Sequence, residues 1–362
     1  MFKDYYKKKR VLVTGHTGFK GSWLSVWLNL MGAKVYGYSL KPAYTPNNYT
    51  LSGLSEFVTE KIGDVRDYKT FAGFIKKTQP EIVFHLAAQP LVRISYKNPK
   101  ETYETNIIGL VNIFEILKNI PSVKSIVIIT SDKCYRNIEI ERGYREDDRL
   151  GGIDPYSASK ACAEIISESY YRSFYEQKGI GFATARAGNV IGGGDWSSDR
   201  LIPDCVKNLS RGKEIIIRNP DATRPWQHVL EPLSGYLLLG KKLSENRKKF
   251  SSRWNFGPEK KSNATVFEIA DYINKLWTDR KLLNTNGDNK GLYESKLLYL
   301  NINKAKKNLN WKPVLDLYKS LNYTVTWYKL FYAGKNNMRE VCLTQISDYI
   351  KAAGNKKLDW TL

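Results

Sequence analysis

Three histidines and four cysteines are all that this 362-residue chain offers to a soft metal, and the cysteines (Cys134, Cys162, Cys205, Cys342) stand far apart without a C-x-x-C pair. No zinc ligand set can be composed from them, so no metal centre is expected and the thiols are expected to be reduced, as in a cytoplasm. Long apolar runs are lacking too. Nothing approaches the ~18 to 20 consecutive apolar residues that span a membrane. The basic lead Lys7-Lys8-Lys9-Arg10 precedes only Val11 to Val13 before a glycine-rich turn, too short an apolar stretch for a secretory signal. A soluble, cytoplasmic protein without a membrane partner is therefore expected. Acid is scarce as well: 36 Asp and Glu face 57 Lys and Arg, a formal net charge of +21. The lysines are spread along the chain and gather into no stripe, so nucleic acid is not expected as a partner, whereas a diphosphate ligand would be drawn in by such a field.

What is present is alternation. Short apolar runs at 11–14, 34–38, 82–87 and 125–130 alternate with amphipathic stretches at 23–31, 68–77 and 105–117. That spacing requires parallel strands with helical crossovers, hence an α/β fold, a Rossmann-type doubly wound parallel sheet covered on both faces. Residues 1–187 read as the dinucleotide-binding domain carrying the catalytic residues. Residues 188–362 read as a smaller, mixed α/β C-terminal substrate-binding lobe, parts of which can return to the first domain. Further elements are predicted as a helix from 156 to about 178, strands at 181–186 and 214–218, a helix at 266–277, loops at 285–291 and 334–337, and a last helix from about Thr344. Trp254 and Trp311 read as core residues of the second lobe.

Thr14-Gly15-His16-Thr17-Gly18-Phe19-Lys20-Gly21 follows the first strand directly and opens a helix, the context a dinucleotide fingerprint requires. Gly15 makes the tight turn, Gly18 admits the pyrophosphate to the backbone, and Gly21 lets the helix sit close to the sheet. The second strand ends Tyr38-Ser39-Leu40-Lys41, with no acid for the ribose hydroxyls, so the usual rule does not choose NAD over NADP here. Asp64, in Gly63-Asp64-Val65, reads either as a ligand of the adenine amino group or as a helix N-cap. His85-Leu-Ala-Ala-Gln89 ends the fourth strand with small residues that leave room for a cofactor.

Tyr156 and Lys160 fall four apart on a predicted helix and share a face, so the ammonium can lower the phenol's pKa and make it a base near neutral pH. This is hydride-transfer chemistry. Ser131-Asp132-Lys133 ends the fifth strand. An oxidoreductase that moves only hydride uses the serine alone, so the acid and base that follow point to a further step on the same substrate.

The glycine turn, His85-Leu-Ala-Ala88, Ser131 and Tyr156-x-x-x-Lys160 together resemble the extended short-chain dehydrogenase/reductases that act on nucleotide sugars. More narrowly, the segments 14–24, Thr130-Ser-Asp-Lys133-Cys-Tyr135 and Arg224-Pro-Trp226-Gln-His228-Val229 are similar to the 4,6-dehydratases of CDP-sugars, a likeness that runs from about Val11 to the tail at Thr344-Gln345-Ile346. The resemblance implies NAD as a tightly held cofactor, contacted by Gly15, Thr17, Gly18, Phe19, Gly21, Ser39, Asp64, Val65, Leu86, Ala87, Ala88 and Gln89 together with Tyr156 and Lys160. It implies CDP-glucose as substrate and CDP-4-dehydro-6-deoxyglucose plus water as products, an early step toward the deoxysugars of bacterial surface polysaccharides such as O-antigen. In the related dTDP-glucose enzymes the trio reads Thr-Asp-Glu, and by that alignment Asp132 is the acid for the departing hydroxyl and Lys133 the C5 base. A lysine acts as a base only when neutral, so a charged Lys133 stabilising the enolate stays open.

Arg186, Arg200, Arg218 and Arg224 supply guanidinium forks for the substrate in the loop-rich half. Family likeness gives Asn189 to the sugar-phosphate region, Arg200 and Arg224 to the diphosphate and Arg218 to the nucleotide end, and assigns no residue to cytosine selection. Tyr293-Glu294 stands where the family often has His-Glu. A homodimer or homotetramer is implied, through the helices bearing Tyr156 and residues 105–117. Two other readings remain: a sister enzyme of the same fold, either a 4-epimerase or a dehydratase for another nucleotide, and a non-catalytic cofactor-sensing or polyanion-binding module.

Overall fold

The computed structural model describes residues 1–285, 287 and 297–362, so Tyr293-Glu294 and much of the 285–291 segment lie outside the described residues. Seven strands make one sheet: β1 (Arg10–Thr14), β2 (Lys34–Ser39), β3 (Thr59–Ile62), β4 (Ile82–His85), β5 (Ser125–Ile129), β6 (Gly181–Ala187) and β7 (Arg253–Phe256). Their order is β7-β6-β5-β4-β1-β2-β3 and every neighbouring pair is parallel. The chain runs outward from β1 to β3 and then crosses back to start again at β4. The crevice at the carboxyl ends of β1 and β4 is the switch point at which doubly wound sheets bind ligands.

β4, β5 and β6 are buried along their whole length. The near-continuous apolar runs of β4 and β5 follow from having helices on both faces, whereas β6 also buries Thr184 and Arg186. One face packs under α2 (Tyr68–Thr78), α4 (Gly109–Leu117) and α5 (Pro155–Tyr170), through Phe71, Ile75, Ile113, Phe114 and Ala163. The other carries α1 (Phe19–Leu30) and α7 (Leu230–Glu245), and its core continues through Trp311 and Trp327 into the C-terminal half. α1 is covered outside as well, because Trp27 meets Tyr349 of the last helix edge to face at 5.8 Å. Trp23 and Trp27, on successive turns of this helix, are both fully buried.

β7 lies in the second half of the sequence yet pairs with β6 in the main sheet, Trp254 facing Ala185. Trp254 and Trp311 are both buried, as expected. The expected strand at 214–218 is confined to Ile215–Ile216, which pairs with Leu283–Asn284. The helix at 266–277 forms as expected and is named α8 (Val266–Trp277); a reciprocal Thr265–Glu268 capping box fixes its start. After α9 (Leu317–Tyr332), the last helix, α10 (Met338–Asn355), begins six residues before the expected Thr344, because the Asn337 side chain accepts from the Glu340 N–H and caps it there. Among the described residues no helix is long and apolar enough to cross a membrane, and no group of His, Cys, Asp and Glu is set to hold a metal ion.

Candidate active site

One cavity of about 1360 Å³ opens at the switch point, and every residue given a catalytic, cofactor-binding or substrate-binding role from the sequence lines it except Arg186. Its floor is the glycine turn between β1 and α1. Gly15 has φ +73°, and a Cβ there would lie 2.8 Å from the Ala87 nitrogen; a Cβ on Gly21 would lie 2.1 Å from the Gly15 carbonyl oxygen. Only glycines let the β1 turn, the end of β4 and the start of α1 meet so closely. Gly18 is the N-cap and supplies no side-chain acceptor to the first-turn N–H groups, which leaves that helix end suited to an anion. Thr14 Oγ1 ties the two strand ends by accepting from the Leu86 and Ala87 N–H groups.

At the end of β2, Ser39 and Thr17 hydroxyls pair at 2.8 Å, and Thr17 also donates to the Leu40 carbonyl. Asp64 does not cap α2. That place belongs to Asp67, whose side chain accepts from the Thr70 N–H, while Asp64 is paired with Arg66 at 2.6 Å. The cap reading of Asp64 is thereby corrected: a cap sits at the last non-helical residue, and the turn at 64–67 moves that position three residues on.

The catalytic candidates come from two elements. Asp154 caps α5 by accepting from the Ser157 N–H and Pro155 occupies its first turn, so Tyr156 is fixed at the helix mouth. Its N–H donates to Ser95 Oγ of α3 (Val92–Lys97) at 3.2 Å. At the end of β5, Ser131 Oγ donates to Asp132 Oδ1 at 2.9 Å, both buried, with Lys133 half-buried beside them. Lys160 Nζ lies 6.0 Å from the centroid of the Tyr156 ring and 3.5 Å from the Ile129 carbonyl oxygen. Burial pushes the Tyr156 phenol up to about 12, only partly countered by its hydrogen bond with Ser131. The expectation of a phenol lowered toward neutrality by Lys160 is not met by these side chains: desolvation by the cavity wall outweighs the support of an ammonium 6.0 Å from the ring centroid. Burial brings Lys160 down to about 8, against the opposing pull of Glu164.

Behind the trio is a buried ion pair. Arg186 Nη2 meets Glu164 Oε2 at 2.7 Å, Thr184 donates to the same carboxylate, and so does Thr130, next to Ser131. Arg186 therefore neutralises an acid in the core and cannot reach a substrate phosphate, contrary to its place among the candidate forks. The other three arginines do face the cavity. Arg200 pairs with Asp195 at 2.9 Å, Arg218 with Asp199 at 3.3 Å, and Arg224 Nη1 donates to the Thr223 carbonyl. Asn189 lines the same cavity.

The structure adds residues that sequence reasoning missed. Lys20 enters the cavity from the glycine turn, where burial, helped by the charges of Arg200 and Lys160, lowers its pKa to about 7. Its position inside the fingerprint is a signal that was there to be used. Asn106 accepts from the Gln89 N–H and donates to Ser159 Oγ, joining the end of β4 to α5, and no local pattern marks it.

Residues 12–323 match the GDP-mannose 4,6-dehydratase family. The chain belongs to that family. Its relatives include a CDP-glucose 4,6-dehydratase of Salmonella typhimurium, 47% identical over 97% of this chain and 98% of that one. Among solved structures, an epimerase of Methanothermobacter thermautotrophicus superposes with a TM-score of 0.78 at 23% identity, over 91% of this chain and 95% of that one. A dTDP-glucose 4,6-dehydratase of Bacillus anthracis, in complex with NAD, superposes with a TM-score of 0.73 at 24% identity, over 89% and 96%. These two likenesses bear on the fold alone, which both structures share with this chain.

Proposed function

We propose that this chain removes water from CDP-glucose to give CDP-4-dehydro-6-deoxyglucose, with NAD as resident cofactor. One observation carries the reading: Asp132, paired with Ser131, projects into the same cavity as Tyr156, so an acid stands beside the hydroxyl pair that oxidation at C4 needs. A 4-epimerase has work for the tyrosine and serine but none for that acid. The relative named for CDP-glucose, at 47% identity over nearly the full length of both chains, supports the choice of nucleotide.

The turn residues fit a dinucleotide. Gly15, Gly18 and Gly21 leave backbone and helix N–H groups open to a pyrophosphate, and Ala87 and Ala88 keep the path along the strand ends clear. Thr17, Phe19, Ser39, Asp64, Val65, Leu86 and Gln89 complete that wall. When bound, NAD would supply a reversible hydride acceptor for C4 and donor for C6, and its positive ring would favour the Tyr156 phenolate that burial alone disfavours. Tyr156 takes the O4 proton, Ser131 holds the same oxygen, and Lys160 supports the negative charge. The C4 ketone acidifies the C5 hydrogen. Asp132 then protonates the departing O6 hydroxyl, and a neutral Lys133 takes the C5 proton; a charged Lys133 instead stabilises the enolate while another group takes that proton. Asn189, Arg200, Arg218 and Arg224 hold the sugar phosphate, diphosphate and nucleotide.

In this reading residues 1–187 with β7 form the cofactor domain, and the rest of 188–362 supplies the nucleotide-sugar wall. A homodimer or homotetramer in the cytoplasm belongs to the same proposal. Exposed Ile165 on α5 and Ile108 just before α4 give those neighbouring helices apolar surface to bury. The test is turnover of the purified protein with CDP-, UDP-, dTDP- and GDP-glucose, followed by the ketone's absorbance. Ketone from CDP-glucose without net reduction of NAD is expected. Turnover of UDP-glucose alone would refute the choice of nucleotide, and UDP-galactose as product would refute the dehydratase.

A further inference from the structure

Arg93 belongs to none of the motifs above, yet it projects into the cavity from α3, two residues before the Ser95 that accepts from the Tyr156 N–H. Arg93 Nη1 lies 3.4 Å from Asp199 Oδ1, and Arg218 Nη1 lies 3.3 Å from that same oxygen. One carboxylate oxygen thus bridges two guanidinium groups brought in from distant parts of the chain. We propose that Arg93 is a further binding residue for the diphosphate of the nucleotide sugar, and that Asp199 holds the Arg93–Arg218 pair as an internal anion which that diphosphate displaces. The inference rests on the nucleotide-sugar reading of this site.

Charge and geometry carry it. Two cations share one acid here, with Asp204 only 4.0 Å from Arg218 as a distant second. A nucleoside diphosphate ester brings two negative charges and several oxygens, which match two guanidinium forks better than one carboxylate oxygen does. The existing bridges are weak ones. At 3.3 and 3.4 Å they are longer than the ~2.7 to 2.9 Å of a tight charge-assisted hydrogen bond, and all three side chains are partly exposed. Asp199 also holds φ +60°, a left-handed conformation that ordinary residues avoid, in the turn just before α6 (Leu201–Leu209). A weakly held carboxylate on a turn is one that a stronger anion can replace. Arg200, by contrast, is bound to a buried Asp195 and lies close enough to Tyr156 for their charges to interact, which puts it at the sugar end. Arg93 and Arg218 then serve the phosphate farther from the reacting carbon.

A purely structural bridge would pin the turn, and its loss would loosen the site. The two accounts therefore differ in sign. The experiment is calorimetric titration of CDP into the full-length protein with NAD present, for the wild type, Asp199→Asn, Arg93→Met, Arg93→Lys and the Arg93→Met/Asp199→Asn pair. Asp199→Asn is expected to bind CDP about threefold more tightly, the size of a lost exposed ion pair. Arg93→Met is expected to bind it roughly ten- to hundredfold more weakly, with the KM for CDP-glucose raised more than kcat is lowered. Arg93→Lys, charged but without the fork, is expected to fall between, and in the double variant the gain from Asp199→Asn shrinks. Weaker or unchanged binding by Asp199→Asn, or wild-type affinity in Arg93→Met, would overturn the inference while leaving the dehydratase reading intact if CDP-glucose still turns over. A wild type that neither turns over CDP-glucose nor binds CDP would overturn both.

Discussion

Ser131 Oγ donates to Asp132 Oδ1 at 2.9 Å, so the hydroxyl next to Tyr156 and the carboxyl group that follows it act as one buried unit. Neighbouring residues in an extended strand point to opposite faces, but here β5 has ended and a single tight turn, with the Lys133 N–H donating to Ser131 Oγ, brings both into the cavity. In the proposed reaction, oxidation at C4 and expulsion of the C6 hydroxyl thereby share one wall of the site.

Asp132→Asn keeps the shape of that unit and removes its proton donor. Water loss is expected to fall by ~10² to 10⁴. Oxidation at C4 continues, so rapid mixing with CDP-glucose shows the absorbance of the reduced cofactor appearing while 6-deoxy product does not. Equal loss of both steps would take Asp132 out of the role of acid.

Lys160, held at about 8 by burial, is charged below that pH and neutral above it. Because its charge supports the Tyr156 phenolate, kcat is expected to decline as pH rises past about 8. Lys160→Arg stays charged throughout and should lack this alkaline limb, whatever its absolute rate. A pH profile of the arginine variant that bends at the same place would contradict the assignment.

Glu164→Gln leaves Arg186 buried without its counter-charge and weakens the anchor of Thr130 beside the catalytic trio. A loss of ~3 to 5 kcal/mol in urea unfolding is expected. A change below about 1 kcal/mol would mean that the pair is not closed as described.

Gly21→Ala places a methyl group 2.1 Å from the Gly15 carbonyl oxygen if nothing moves. α1 must shift off the turn, and the variant is expected to purify without NAD, measured by extraction of the denatured protein. Retention at the wild-type level would separate the glycine turn from cofactor binding.

Most of the fold is legible in the sequence because its signals are local. The β-α alternation fixes the sheet, and Gly18 and Gly21 answer to contacts within one turn, while Gly15 is legible from its place at the strand end although its close neighbour is Ala87. Tyr156 and Lys160 are found for the same reason, being one helical turn apart behind an Asp-Pro start. What escapes is decided by long-range pairing. Arg186 is read as a phosphate ligand because its partner Glu164 lies on a helix 22 residues earlier, and only the sheet brings them together. The pKa of Tyr156 fails to follow from the spacing because desolvation depends on the whole cavity wall, and the spacing reports only Lys160. Arg93 is silent in the sequence for a related reason: its partner Asp199 comes from a distant part of the chain.

The most direct test of the central claim follows one hydrogen. CDP-glucose carrying deuterium at C4 is converted to completion and the product examined by proton and deuterium NMR. Deuterium on the new C6 methyl group is expected, carried there within a single turnover. A methyl group free of deuterium would contradict the account.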